Sequence, residues 1–304
     1  MERDVKSLDK ENLLDLVGYH KKWHGTTQSF RKPYKFNQND HLIREIFQRI
    51  GIKNGFFVEF GAWDGIFGSN TRGLFLEGWE GILIEPHPER FKDLEENYKE
   101  CDRITTLNRF IDTQNNLFDN VVREHVSNKI NFCSIDIDGL DVEVFETIEE
   151  FLPDVVCIEG GQMLSPLYTD RLPNEIAAKN IQQGIYTMNE VFENKGYKLL
   201  CTYQDSFFIK KEYFHFFNVK ENLLELYLDG ILAYPRLPWI FSKLREAGLN
   251  NKIVNLIVSK TSFINPHASE QEKIAWVDEN YDVISQIIEK IRLSYYKSLK
   301  DKNI

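Results

Sequence analysis

The chain of 304 residues is 42% hydrophobic and 28% charged, the balance of a globular protein, and that excludes disorder as its main state. Lys and Arg number 37 against 47 Asp and Glu, a net charge of −10, so a broad basic face for nucleic-acid phosphates is not expected and a small-molecule partner is. The opening residues carry no apolar signal core, and no run approaches the roughly 18 apolar residues of a membrane span, which predicts a cytoplasmic chain without such a span. Cys101, Cys133, Cys157 and Cys201 stand 24 or more residues apart without zinc-site spacing, and three of them fall in strand-like runs, so they are expected to be buried free thiols.

In chain order, residues 1–50 form an N-terminal helical cap or lid segment. Leu8, Leu13, Leu16 and Val17 suggest a short helix, and the aromatic, basic stretch from Tyr19 to Phe36 has no periodicity. Asp40 then caps a helix with Leu42, Ile43, Ile46, Phe47 and Ile50 on one face, ended by Gly51. Residues 51–217 alternate strand and helix. GFFVEF, GILIEP, RITTLNRFI, INFCSIDI and DVVCIE read as five strands, with PERFKDLEENY, NNLFDNVVREH and DVEVFETIEEF among the helices between them. Continuous apolar strands between helices predict an α/β fold with a parallel sheet covered on both faces. A helix from Asn180 to Lys195 precedes YKLLCTY and SFFIKKEYF, whose short Gln-Asp connection forces an antiparallel pair. Residues 218–304 form a helical C-terminal extension. Its last helix carries Ile274, Val277, Tyr281, Ile284, Ile288, Ile291 and Tyr295 at alternating spacings of 3 and 4, a seam that closes on the same chain or makes a homo-oligomer.

Ligands of an open parallel sheet bind beyond the carboxyl ends of the strands, so the residues there carry the chemistry. Strand one ends in Glu59-Phe-Gly61-Ala62-Trp63-Asp64-Gly65. Glycines let the backbone approach a ligand closely, but Trp63 stands where the dinucleotide fingerprint has its second glycine, which favours a mononucleoside-like ligand. Strand two ends in Glu85, 24 residues after Gly61, near the spacing of about 20 at which a carboxylate accepts from ribose hydroxyls. Asp112 follows strand three, where it can meet an adenine amino group. Strand four ends in Asp136-Ile-Asp138-Gly139, with both aspartates on one face, and strand five in Glu159-Gly160-Gly161. Three converging carboxylates repel unless a proton, a cationic group or a metal stands among them; magnesium or manganese held by Asp136 and Glu159 is one reading. His24 is a candidate lid or base, and Lys21, Lys22, Arg31, Lys32 and Lys35 beside it suit an anionic acceptor.

FVEFGAWDG (57–65), SNT (69–71), GILIEPHP (81–88), SIDIDGLD (134–141), VVCIE (155–159) and the hairpin GYKLLCTYQDSFFIKKEYF (196–214) together resemble the FkbM-type S-adenosylmethionine-dependent methyltransferases over about residues 40–214. The resemblance implies a Rossmann-like seven-stranded methyltransferase sheet whose last strand pair is an antiparallel hairpin. It implies that Glu59, Gly61 and Trp63 line the methionine part of the cofactor, with Glu85 on its ribose and Asp136 on the edge facing the acceptor; Ala62, Asp64, Asn70 and Asp112 are further cofactor-binding candidates. Asp136, Asp138, Glu159 and His24 are then the catalytic candidates, and the acceptor a sugar, glycan or nucleotide-linked or phosphorylated small molecule methylated on oxygen. The chain departs from the family at Gln38-Asn39-Asp40, where a Gly-Glu-Asp run is usual, and at Gly160 and Gly161. A nicotinamide-dependent oxidoreductase would need the three-glycine fingerprint that is missing. A noncatalytic nucleoside-binding scaffold would bind ligand without turnover.

Overall fold

A computed structural model describes residues 39–126, 129–161, 171–178, 182–202 and 205–219, with 221, 223 and 226. The segment containing His24, the basic residues around it and the C-terminal helical seam lie outside the described residues. Helix α1, Asp40–Ile50, turns Leu42, Ile43, Ile46 and Phe47 into the core. It ends at Gly51, whose φ of 76° lets its N–H return to the Phe47 carbonyl. Asp40, expected as the cap, is instead the first helical residue behind Asn39, and Asn39 makes no side-chain capping bond.

The rest alternates as the apolar runs require: β1 Phe56–Phe60, α2 Arg72–Leu76, β2 Glu80–Ile84, α3 Pro88–Tyr98, β3 Ile104–Leu107, α4 Phe118–Val122, β4 Phe132–Ile135, α5 Asp141–Glu146 and β5 Val155–Glu159. Helices α6, Asn174–Ala177, and α7, Ile185–Asn194, lead to β6, Tyr197–Thr202, and β7, Asp205–Lys210, then a 3₁₀ turn at Lys211–Phe216. The strands lie in the order β3-β2-β1-β4-β5-β7-β6. The first five are parallel, and β7 runs antiparallel to both β5 and β6. This is the seven-stranded Rossmann-like methyltransferase sheet. Its central strands are buried along nearly their whole length, which explains why their sequences are apolar without alternation.

Three expected boundaries move for identifiable reasons. Strand β3 stops at Leu107 because the Asn108 amide donates to the carbonyls of Glu85 (2.8 Å) and Pro86 (3.2 Å) and turns the chain. Strand β7 gives way at Lys211 to the 3₁₀ turn. Helix α7 begins at Ile185 rather than Asn180, since Gly184 is engaged in a parallel bridge with Gly161. On the α7 side of the sheet Phe192 stacks between Phe145 and Phe208, with centroids at 3.7 and 3.8 Å. All four cysteines are free thiols, and those at 133, 157 and 201 are buried.

Candidate active site

Strand order reverses between β1 and β4, because the chain lays β2 and β3 on one side of β1 and then crosses to the other. The crevice of such a sheet opens there, at the carboxyl ends. The backbones close in tightly: a Cβ on Gly61, whose φ is 80°, would stand 1.7 Å from the Asp136 carbonyl oxygen, so no other residue fits.

Strand register sorts the polar side chains into two ranks on one face. Glu59 on β1 pairs with Ser134 on β4, which pairs with Cys157 on β5. Side chains two residues further along share that face, which places Asp136 beside Glu159 and Glu159 directly opposite Asp205 of β7.

The inner rank is closed. Glu59 is buried and accepts the Asn70 N–H (2.8 Å) and the hydroxyls of Ser69 (2.7 Å) and Thr71 (2.6 Å). Burial raises its pKa against the lowering effect of these bonds. The Asn70 amide donates to Ser134 (2.9 Å) and accepts from Asn39 (2.9 Å), and Asn39 also donates to Asp205 Oδ2 at 2.5 Å. Glu59 and Asn70, expected at the cofactor, thus hold the Ser-Asn-Thr segment to the strand ends. Asn39 ties that segment to β7.

The β1–β2 side of the crevice is organised by Glu85, which is 2% exposed. One carboxylate oxygen accepts the Trp63 N–H (2.9 Å) and the other the His87 N–H (2.8 Å), so the side chain is fixed between two loops. Trp63 is held at a φ of 50°, uncommon for a bulky residue. Its indole is 45% exposed beneath the Arg90 guanidinium, 4.1 Å away. Ala62 is buried, and Asp64 accepts the N–H groups of Ile66 (2.8 Å) and Phe67 (2.7 Å), shaping the turn. Asp112 does the same beyond β3: one of its oxygens accepts the N–H groups of Gln114, Asn115 and Asn116, and these bonds hold its pKa down to about 2.

The outer rank is electrostatically opposed. Oxygens of Asp136, Asp138 and Glu159 lie within 4.8 Å of one another. At that separation two unit charges repel by roughly 3 to 4 kcal/mol for an effective dielectric near 20, so the rank does not hold full negative charge without a counter-charge. Withdrawal from water, then Glu159, Asp205, Asp141 and Asp138, push the Asp136 carboxyl well above the usual range. Its exposed edge admits water that screens part of this repulsion. Glu159, half-buried, rises for the same reasons, with Asp205 its first charged neighbour, and the Gln182 amide donates to it. Asp141 is buried behind the turn, accepts the N–H groups of Ile137 and Gly139 (both 2.9 Å), and is pushed up to about 7, mainly by burial. These bonds support Asp138 at a φ of 59°.

Gly160 and Gly161, where the chain departs from the family pattern, face protein. A Cβ at Gly160 would meet Met188 (3.0 Å) and Gln182 (3.1 Å), and one at Gly161 would meet Ser206 (2.9 Å). Asn39, Gln182 and Asp205 escaped the sequence reading. The only signal for Asp205 is its position in the Gln-Asp turn, which the register converts into the first pair of a ladder with Glu159.

No protein-family model matches the chain, and no curated protein matches it. Among solved structures it is similar to a SAM dependent methyltransferase from Aquifex aeolicus, at 11% identity over 66% of this chain and 97% of that one, with a TM-score of 0.36. It is similar also to the SAH-bound methyltransferase PaMTH1 of Podospora anserina, at 12% identity over 69% and 91% of the two chains, with a TM-score of 0.39. The fold assignment rests on the strand order itself. Among the described residues no helix is long and apolar enough to cross a membrane.

Proposed function

We propose that the chain is an S-adenosylmethionine-dependent methyltransferase acting on a hydroxyl of a small, sugar-like acceptor. The observation that carries this reading is Glu85, a buried carboxylate at the carboxyl end of β2 beside the glycine turn of β1. Each of its oxygens accepts one backbone N–H and keeps acceptor capacity for a second donor. A ribose diol offers two such donors, and the exposed face of Trp63 stands next to them as an apolar wall. The residues present therefore fit a nucleoside cofactor. Trp63 at the second-glycine position disfavours the pyrophosphate of a dinucleotide.

When bound, the cofactor supplies a methyl group that is already activated. The chain's own task is to hold the acceptor oxygen in line with it, which can account for roughly 7 to 11 kcal/mol of barrier, and to take up the hydroxyl proton. Asp136 or Glu159 accepts that proton, with Asp138 at the rim of the same cleft. Their elevated proton affinity is what a general base near neutral pH needs. A phosphate on the acceptor would be repelled by this rank, so a phosphorylated substrate depends on cations elsewhere, such as Lys21, Lys22, Arg31, Lys32 and Lys35.

Calorimetric titration with S-adenosylhomocysteine, S-adenosylmethionine and NAD tests the reading. The first two are expected to bind one per chain and to change Trp63 fluorescence, and NAD is expected not to bind. Absence of S-adenosylhomocysteine binding would overturn it.

A further inference from the structure

We propose that a cavity at the amino end of the sheet, between the C-terminal ends of α1 and α2, binds a small aromatic carboxylate. The cavity holds about 370 Å³, and its lining includes Phe47, Leu74 and Trp79 together with Arg44, Lys53 and Glu77. That volume lies at the lower end of the roughly 300 to 1,000 Å³ of small-molecule sites, room for a body of one or two rings. The cavity stands at the opposite end of the strands from the crevice. Trp79 directly precedes β2, whose other end leads into Glu85, and Lys53 lies just ahead of β1.

Its floor is apolar, and the polar backbone around it is already paired. Phe47, Leu74 and Trp79 are buried, and the Phe47 and Trp79 rings meet edge to face at 4.7 Å. The Trp79 indole N–H donates to the Lys53 carbonyl (3.1 Å). At the end of α1 the Phe47 carbonyl accepts from Gly51 and Ile52. At the end of α2 the Leu74 carbonyl accepts from Glu77 and Trp79, and the Phe75 carbonyl from Gly78 and the Arg103 side chain. With these groups satisfied, a ligand rich in donors and acceptors, such as a sugar or a nucleoside, would give up water for few new bonds. An aromatic ring gains from burial against the three apolar side chains.

Charge sets the head group. Arg44 and Glu77 are paired at 2.7 Å and cancel. Lys53 is exposed, and among the described residues its ammonium has neither an ion pair nor a hydrogen bond, although the chain carries 47 acidic residues against 37 basic ones. One uncompensated positive charge beside an apolar floor suits one negative charge on an apolar body. A polyanion would set further charge against Glu77, and a cationic ligand would meet Lys53. Glu77, the one carboxylate among the lining residues, is tied to Arg44, so the cavity is a binding site rather than a second reaction centre. The site does not rest on the methyltransferase reading.

Titration of the purified full chain with 2-naphthoate, followed by saturation-transfer NMR and by calorimetry, tests the site. The expected result is saturable binding of one molecule per chain with a Kd of about 1 mM or below, undiminished by S-adenosylhomocysteine. Lys53→Glu should weaken it by about threefold or more, the scale of an exposed charge pair reversed. Gln48→Trp, which sets an indole among the lining residues, should weaken it by about tenfold or more through lost space. Both positions are exposed, so the core is left intact, and Lys92→Glu on α3 should bind as the wild type does. The neutral 2-naphthylmethanol should bind about twofold or more weakly than the acid. Absence of saturable binding overturns the site, as does wild-type affinity in either cavity variant, an equal loss in Lys92→Glu, or displacement by S-adenosylhomocysteine. Equal affinity for the alcohol overturns the assignment of an acid.

Discussion

Replacing Glu85 by Gln separates the two parts this residue is given. In the folded chain its oxygens accept the Trp63 and His87 N–H groups at 2.9 and 2.8 Å. An amide presents one oxygen and one NH₂, so one of those backbone donors faces another donor. A buried donor left unpaired costs about 1 to 3 kcal/mol, and urea unfolding should show a loss of that size. Ligand binding should fall as well, since one ribose hydroxyl loses a charged acceptor worth about 1.5 to 3 kcal/mol, or about 10- to 150-fold in Kd for S-adenosylhomocysteine. Titration calorimetry well below the unfolding midpoint measures the second effect free of the first. A stability loss with unchanged affinity would refute the ribose assignment and leave Glu85 as a tie between the β1 and β2 loops.

Asp136→Asn and Glu159→Gln should keep S-adenosylhomocysteine affinity within about tenfold and lower turnover of an identified acceptor by about 10² to 10⁴, the range of a general base; wild-type rates in both would move the base elsewhere. Asn39→Asp sets a carboxylate against Asp205, now bonded at 2.5 Å, and should destabilise the fold by about 3 kcal/mol or more at pH 7; a neutral effect in urea unfolding would show that the Asn39 bridge contributes nothing. Stability itself should decline as pH rises from about 4 to 7, because Asp141 is raised from 3.8 to about 7 and Asp136 and Glu159 are raised with it. The folded state then binds more protons than the unfolded one, and the slope is negative over that window. Unfolding free energies that rise between pH 4 and pH 7 would contradict these shifts.

The architecture was legible because a parallel sheet leaves a plain trace: apolar runs without alternation, each ending in charge or glycine. Five runs, the hairpin and the end residues Glu59, Glu85, Asp136 and Glu159 all lie where their local sequence puts them. What a run of residues does not contain is its register against distant strands. Glu59 and Asp136 both end strands and both look available, yet Glu59 is covered by Ser69, Asn70 and Thr71 while Asp136 keeps an exposed edge. The SNT triplet was visible, but that it satisfies Glu59 follows only from the folded path. Asp205 became part of the cluster through an antiparallel pairing, and Asn39 through a hydrogen bond spanning 166 residues. Cooperation of that kind is a property of the sheet, which explains why Asn39 read as a departure from the family pattern rather than as a bridge.

The two ranks show how one face can hold carboxylates for different ends. Glu59 is engaged by three donors from its own loop. The outer rank sets Asp136, Glu159 and Asp205 side by side, an arrangement that costs stability unless charge is neutralised. Neutralisation by a proton and by a cation have opposite chemical consequences. A protonated Asp136 accepts no proton until it has lost its own, so proton-transfer catalysis should strengthen as pH rises through the titration of the rank. A cation in the rank would instead be held by Asp136 and Glu159 and would lower the pKa of an acceptor hydroxyl, leaving Asp205 or solvent to take up the proton. The two therefore differ in more than their response to a chelator. In the first, either carboxamide variant removes the base while cofactor affinity survives. In the second, the same variants remove the cation, and activity should return in part at high manganese concentration, a rescue that a missing base does not permit.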